Sequence, residues 1–148
     1  MARLPIGPRI SLLLVLLLLP TTVGAQALVQ EWVRIYDSGQ ADQAVDLDIA
    51  PNGTVYVLDS HPRHYCDTTR VLAYSADGTQ LWASELDCFW ANDVATTASS
   101  GAVVAGARDS DNTNAAIFSL AADGDTLWSW TQEWGHWNEA MAVTIDVN

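Results

Sequence analysis

Apolar and polar residues alternate along most of this chain, in short blocks. Val45, Leu47 and Ile49 are interleaved with Asp46 and Asp48, the period-2 pattern of a strand that buries one face. Blocks of similar length follow, separated by turn-forming residues such as Pro51-Asn52-Gly53, Ala76-Asp77-Gly78 and Ala122-Asp123-Gly124. They predict strands at 44–49, 54–59, 70–75 and 79–85, and again at 93–97, 102–107, 115–120 and 126–131. A further strand begins at 140–145, and a leading strand, 27–36, precedes them all. The fold class predicted is all-β.

The blocks also repeat. Val71-Leu72-Ala73-Tyr74-Ser75-Ala76-Asp77-Gly78-Thr79-Gln80-Leu81-Trp82 aligns without a gap on Ile117-Phe118-Ser119-Leu120-Ala121-Ala122-Asp123-Gly124-Asp125-Thr126-Leu127-Trp128. Asp-Gly between apolar runs is a hairpin signal, because glycine accepts the positive φ that the turn requires. Residues 43–52 align in turn on 139–148, with Asp93-Val94-Ala95-Thr96 as a weaker middle copy. Trp32, Trp82 and Trp128 each precede such a strand, and packing between neighbouring units is their expected role. Units of about 45 residues with four strands and a recurring Trp are the shape of β-propeller blades. The division expected is a leader at 1–25 and a partial propeller at 26–148. Within the latter lie a leading strand (26–36), one blade (43–87), a second (92–133) and the start of a third (139–148). A ring needs at least about four blades, so either the chain is an incomplete product, the preferred reading, or several copies assemble. In a complete ring the leading strand would fasten the last blade.

Composition adds an address. Arg3 and Arg9 precede an apolar run from Ile10 to Leu19, and Val23-Gly24-Ala25 fits the small-x-small pattern before a cleavage site, as in a secretory signal peptide. Cleavage after Ala27 fits nearly as well. A helix of that run spans about 15 Å, half of a bilayer core of roughly 30 Å, which argues against an anchor. Secretion, to the periplasm or the cell surface, is therefore expected. Without the leader, Arg34, Arg63, Arg70 and Arg108 face all 18 acidic residues. That balance repels nucleic acid and anionic membranes.

The run Ile49-Ala50-Pro51-Asn52-Gly53-Thr54-Val55-Tyr56-Val57, followed by Ala76-Asp77-Gly78-Thr79-Gln80-Leu81-Trp82, resembles the SBBP and PQQ-like repeat families of bacterial β-propellers. The resemblance covers nearly all of the chain after the leader, and it implies blade structure rather than a chemistry. The docking repeat of quinoprotein dehydrogenases, A-x-D-x-x-x-G-K-x-x-W in outline, keeps only Gly78 and Trp82 here. Leu72, Tyr74 and Thr79 stand at its alanine, aspartate and lysine, so no quinone ligands can be assigned.

An antiparallel meander sends alternate connections to opposite ends. The turns at 51–53, 76–78, 97–101 and 122–124 share one end and are short. The connections expected at 60–69, 86–92, 108–114 and 132–138 share the other and are chemically richer. Cys66 and Cys88 both fall there, and in an exported protein a disulfide is expected, with two free thiols as the alternative. Tyr65, Trp90, Trp134, His136 and Trp137 form an aromatic set at that end. Such rings stack on sugars or anchor protein partners, and packing between blades is the competing role for each. His61, His64 and Cys66 are zinc-type ligands without a fixed geometry. Asp109 and Asp111 resemble part of a calcium loop lacking its glycine and distant glutamate. No metal site is assigned, no cofactor is expected, and calcium near Asp109 and Asp111 stays open. Asn52-Gly53-Thr54 is a glycosylation sequon where the host glycosylates asparagine.

The function expected is a secreted, non-catalytic propeller module that binds a protein or a glycan through the richer end. A second reading is the N-terminal part of a secreted propeller enzyme, such as a carbohydrate-active hydrolase or lyase, with Asp67, Asp109 and Glu133 as candidate carboxylates. A third is a truncated product without function. The remaining blades of the same propeller are expected partners.

Overall fold

Alternation and tight turns fold the chain into two antiparallel meanders. The computed structural model describes residues 30–61, 68–108, 114–133 and 136–146. The predicted leader lies outside them. The first sheet holds β1 (Gln43–Ile49), β2 (Val55–His61), β3 (Thr68–Tyr74) and β4 (Gln80–Asp87). The second holds β5 (Phe89–Thr96), β6 (Ala102–Arg108), β7 (Asn114–Leu120) and β8 (Thr126–Gln132). Each sheet follows chain order, β1-β2-β3-β4 and β5-β6-β7-β8. No helix and no closed barrel occur among the described residues.

The two sheets are built alike down to their irregularities. β1 shifts register against β2 between Ala44 and Asp46, and β5 shifts against β6 between Ala91 and Asp93. The extra residues, Val45 and Asn92, are bulges at the same place in the repeat, and a bulge bends its strand locally. A second pair of shifts, opposite Ala73/Tyr74 and Ser119/Leu120, sets Leu81 and Leu127 outward, 51% and 63% exposed. The Asp-Gly turns place Gly78 at φ 81° and Gly124 at φ 94°, a region closed to most side chains. The β5–β6 turn makes the equivalent bend with Ser100, at φ 63°.

One apolar core joins the sheets. Tyr56, Leu58, Val71 and Ala73 of the first meet Phe89, Val94, Val104, Ala116 and Phe118 of the second. The rings of Phe89 and Phe118 pack edge to face at 4.8 Å, and Tyr56 lies 5.6 Å from Trp82. A buried hydroxyl crosses the junction: Thr69 Oγ1 donates to the Phe89 carbonyl at 2.8 Å and accepts the Ala91 N–H at 3.0 Å.

Three expectations change. Residues 86–92 were expected to form a long connection, but β4 runs to Asp87 and β5 begins at Phe89, so only Cys88 turns the corner, at φ 51°. Burial of Leu86 and Phe89, 4% and 0% exposed, draws both sides of the corner into strands. The leading strand expected at 27–36 is irregular over 30–36, and 27–29 lie outside the described residues. The strand expected at 140–145 is irregular too. A strand needs a neighbouring ladder, and neither segment has one among the described residues. Both nevertheless bond to the sheets, as described below.

Candidate functional site

The end of the sheets with tight turns carries a recurring latch. Trp82, on β4, lays its indole on the β7–β8 turn: its Nε1–H donates to the Ala122 carbonyl at 2.8 Å. A Cβ added to Gly124 would come within 2.9 Å of the ring. Trp32 repeats this one unit earlier. Its Nε1–H donates to the Ala76 carbonyl at 2.9 Å, and a Cβ on Gly78 would meet its ring at 2.7 Å. Arg34 adds a bond from Nε to the Gly78 carbonyl at 2.6 Å. Residues 30–36 thus sit against the first sheet as β4 sits against the second.

The first strands of the two sheets are pinned by carboxylates. Asp46 accepts the Val94 N–H at 3.0 Å, and Asp48 accepts the Thr96 N–H at 2.7 Å and its hydroxyl at 2.9 Å. Asp93, the counterpart of Asp46, accepts the Val143 N–H at 2.6 Å. Val143 aligns with Val94, so 139–146 meets β5 through the same kind of bond by which β5 meets β1.

The pKa values of Asp48 and Asp93 shift in opposite directions. Burial works against the charge of Asp48, but the N–H groups of Thr96 and Ile49 and the Thr96 hydroxyl outweigh it, and its pKa falls below the usual value. Burial raises that of Asp93, helped by neighbouring Asp46 and opposed by the Val143 N–H. Asp48 therefore adds stability above the unfolded carboxylate pKa of about 3.9, and this is lost as pH falls through its lower folded value. Asp93 does the reverse: its ionisation weakens the fold above its raised folded pKa, and that cost disappears on acidification. Carboxyl-carbon NMR titration is expected to place Asp48 below and Asp93 above the ordinary aspartate; the opposite order would refute the pinning geometry.

The other end holds the β2–β3, β4–β5 and β6–β7 connections and the segment after β8. Trp90 lies there on β5, 50% exposed, and Trp137 is 74% exposed. His136 is exposed, and its carbonyl accepts the Asn138 side-chain N–H at 2.5 Å. Asn92, two residues beyond Trp90, reaches the Ala140 carbonyl at 3.1 Å and Glu139 at 3.4 Å. This ties the segment that follows Trp137 to β5. Tyr65, Cys66, Asp67, Asp109, Asp111 and Trp134 lie outside the described residues, as does His64. Cys88 sits at the corner between the sheets.

Sequence reasoning assigned nothing to the first sheet's other face. A groove of about 300 Å³ opens there between residues 30–36 and the sheet, lined by Trp32, Arg34, Tyr36, Asp42, Ala44, Val57, Asp59, Leu72 and Tyr74. Arg70 stacks on Tyr36, 5.3 Å from the ring centroid, and pairs with Glu85. The walls come from segments far apart in the chain, so no local motif announces the groove.

Models of known protein families do not match this chain, and neither do curated proteins.

Proposed function

We propose that the chain is an exported β-propeller module whose two sheets are two blades, and that it binds a protein or a glycan without catalysis. Binding uses the end of the sheets that carries the wider connections. The observation behind this reading is the exposure of Trp90 and Trp137 at that end. A large ring left open to water offers apolar contact area, and for Trp90, held on strand β5, at little entropic cost. The blade assignment is supported by the repeated Trp latch and by the equivalent bulges of β1 and β5. Tyr65, Trp134 and His136 are proposed members of the same surface on their place in the sequence pattern, and a Cys66–Cys88 cystine would brace it.

The test is a screen of glycans and peptides against the purified chain, repeated with Trp90→Ala and Trp137→Ala. Each variant is expected to lose about 2 kcal/mol of binding, roughly 30-fold in Kd, with thermal unfolding unchanged. Ligand binding that survives both substitutions at full strength removes this surface from consideration. Export is tested separately, by fusing residues 1–25 to a reporter and measuring its secretion.

A further inference from the structure

Two carboxyl groups meet where three segments of the chain come together. Asp46 follows the bulge of β1, and Asp93 follows the equivalent bulge of β5. Asp46 Oδ2 accepts the Val94 N–H at 3.0 Å, and Asp93 Oδ2 accepts the Val143 N–H at 2.6 Å. Asp93 also draws on the Val94 N–H, and its carboxyl hydrogen-bonds that of Asp46. One cluster therefore joins β1, β5 and the segment 139–146.

A hydrogen bond between two carboxyls needs a proton, since an ionised carboxylate only accepts. Like charges held this close also drive one member to keep its proton. The neighbouring elements supply no cation in its place. On β1, Asp48 is engaged by Thr96. On β6, uncharged Ala105 lies opposite Asp93, and Arg108 ends the strand over the Phe118 ring. β2 carries Asp59, bonded to the Gln43 N–H, Tyr56, bonded to the Ser100 carbonyl, and His61 at its last position. On β3, Arg70 pairs with Glu85. The segment 139–146 brings Glu139, which meets Asn92, and Asp146, both acidic. Among the described residues, Asp46 is the charged side chain that acts on Asp93, and the raised pKa of Asp93 agrees with a retained proton.

We propose that Asp46 and Asp93 share one proton, and that this proton fastens the seam between the two sheets and the segment 139–146. While bound, it makes a donor of one carboxyl and leaves the other oxygens to Val94 and Val143. Once lost, it leaves two carboxylates in contact, and the seam loosens. The cost is absent below the unfolded carboxyl pKa of about 3.9. It grows as pH rises from there through the raised folded value, and above that it is complete. The fold thus carries a fastener that closes in acid, opposite in sense to the Asp48 pin two residues away. No residue named for ligand recognition belongs to the pair, so failure of this proposal leaves the binding reading intact.

Amide exchange followed by NMR on both sides of the Asp93 titration tests it, each rate divided by that of an unstructured peptide at the same pH. In the wild-type chain, protection at Val94 and Val143 is expected to fall about tenfold as pH rises through that titration, the worth of one pKa unit. The β2–β3 ladder is the control and should hold. Asp93→Asn keeps the shape and puts a permanent N–H where the proton was, so Val94 and Val143 should stay protected at every pH. Asp46→Asn should behave alike, and it decides the matter if Asp93→Asn does not fold. Wild-type protection indifferent to pH overturns the proposal, and so does a pH response that persists in the Asn variant. An Asn variant unprotected throughout overturns it too, because the charge and not the proton would then be the fastener.

Discussion

Phe89→Ala is expected to lower the free energy of unfolding by about 3–5 kcal/mol, the usual loss for a large ring removed from a core. Phe89 is fully buried, and its ring meets Phe118 at 4.8 Å. It also sits one residue past the corner where the chain passes from one sheet to the next. Its carbonyl receives the Thr69 hydroxyl, and Thr69 in turn holds the Ala91 N–H. Truncation leaves a cavity among strands that cannot close in without breaking these bonds. Set against a total of about 5–15 kcal/mol for a typical domain, the loss takes a large share of the fold's stability. Urea denaturation should show a lower midpoint with an unchanged slope. A shift under 1 kcal/mol would mean that the sheets do not share a core at Phe89.

Gly106→Ala is the second large effect, and it comes from crowding. A Cβ at this position would run into the Trp90 carbonyl oxygen and come within 2.9 Å of both Ala91 Cα and Phe89 Cζ. Two of these atoms belong to the backbone of the paired strand, which cannot swing aside as a side chain can. Either β5 separates from β6 next to the bulge, or the Phe89 ring leaves its place. The expected cost is about 3 kcal/mol, the upper part of the range for overpacked sites. Gly39→Ala makes the contrast. Nothing lies within 4 Å of its added Cβ, and only φ +79° resists, so the loss there is about 1 kcal/mol. Amide exchange should locate the damage, accelerating the β5–β6 ladder in Gly106→Ala and leaving β1–β2 protected.

Much of this architecture could be read from residue pattern, because the information is local. Alternation through Val45, Leu47 and Ile49 and the Asp-Gly turns at Gly78 and Gly124 each fix a strand or a hairpin within a few residues. The eight strands fall where those signals lie, and the indoles of Trp32 and Trp82 do pack against the next unit. The failures were long-range. Phe89-Trp90-Ala91 has the composition of an aromatic loop, and only its packing on the first sheet makes it strand. The bulges at Val45 and Asn92 have no sequence mark, since a register shift is a property of two paired strands and not of either alone. At the candidate site, Trp90 stands on a strand rather than in a connection, and both Trp90 and Trp137 are exposed. The groove along the first sheet stayed hidden, because its walls meet only after 30–36 folds back.

The latches and pins share a property with consequences for how the molecule comes to be. Trp82 reaches 40 residues ahead, Trp32 reaches 44, and the Asp46 and Asp93 bonds span 48 and 50. Each tie therefore joins a segment to its immediate successor. A polypeptide emerging from a ribosome could complete one sheet, wait for the next few dozen residues, and fasten the two before more arrives. Assembly would advance like a zip, at a pace set by synthesis.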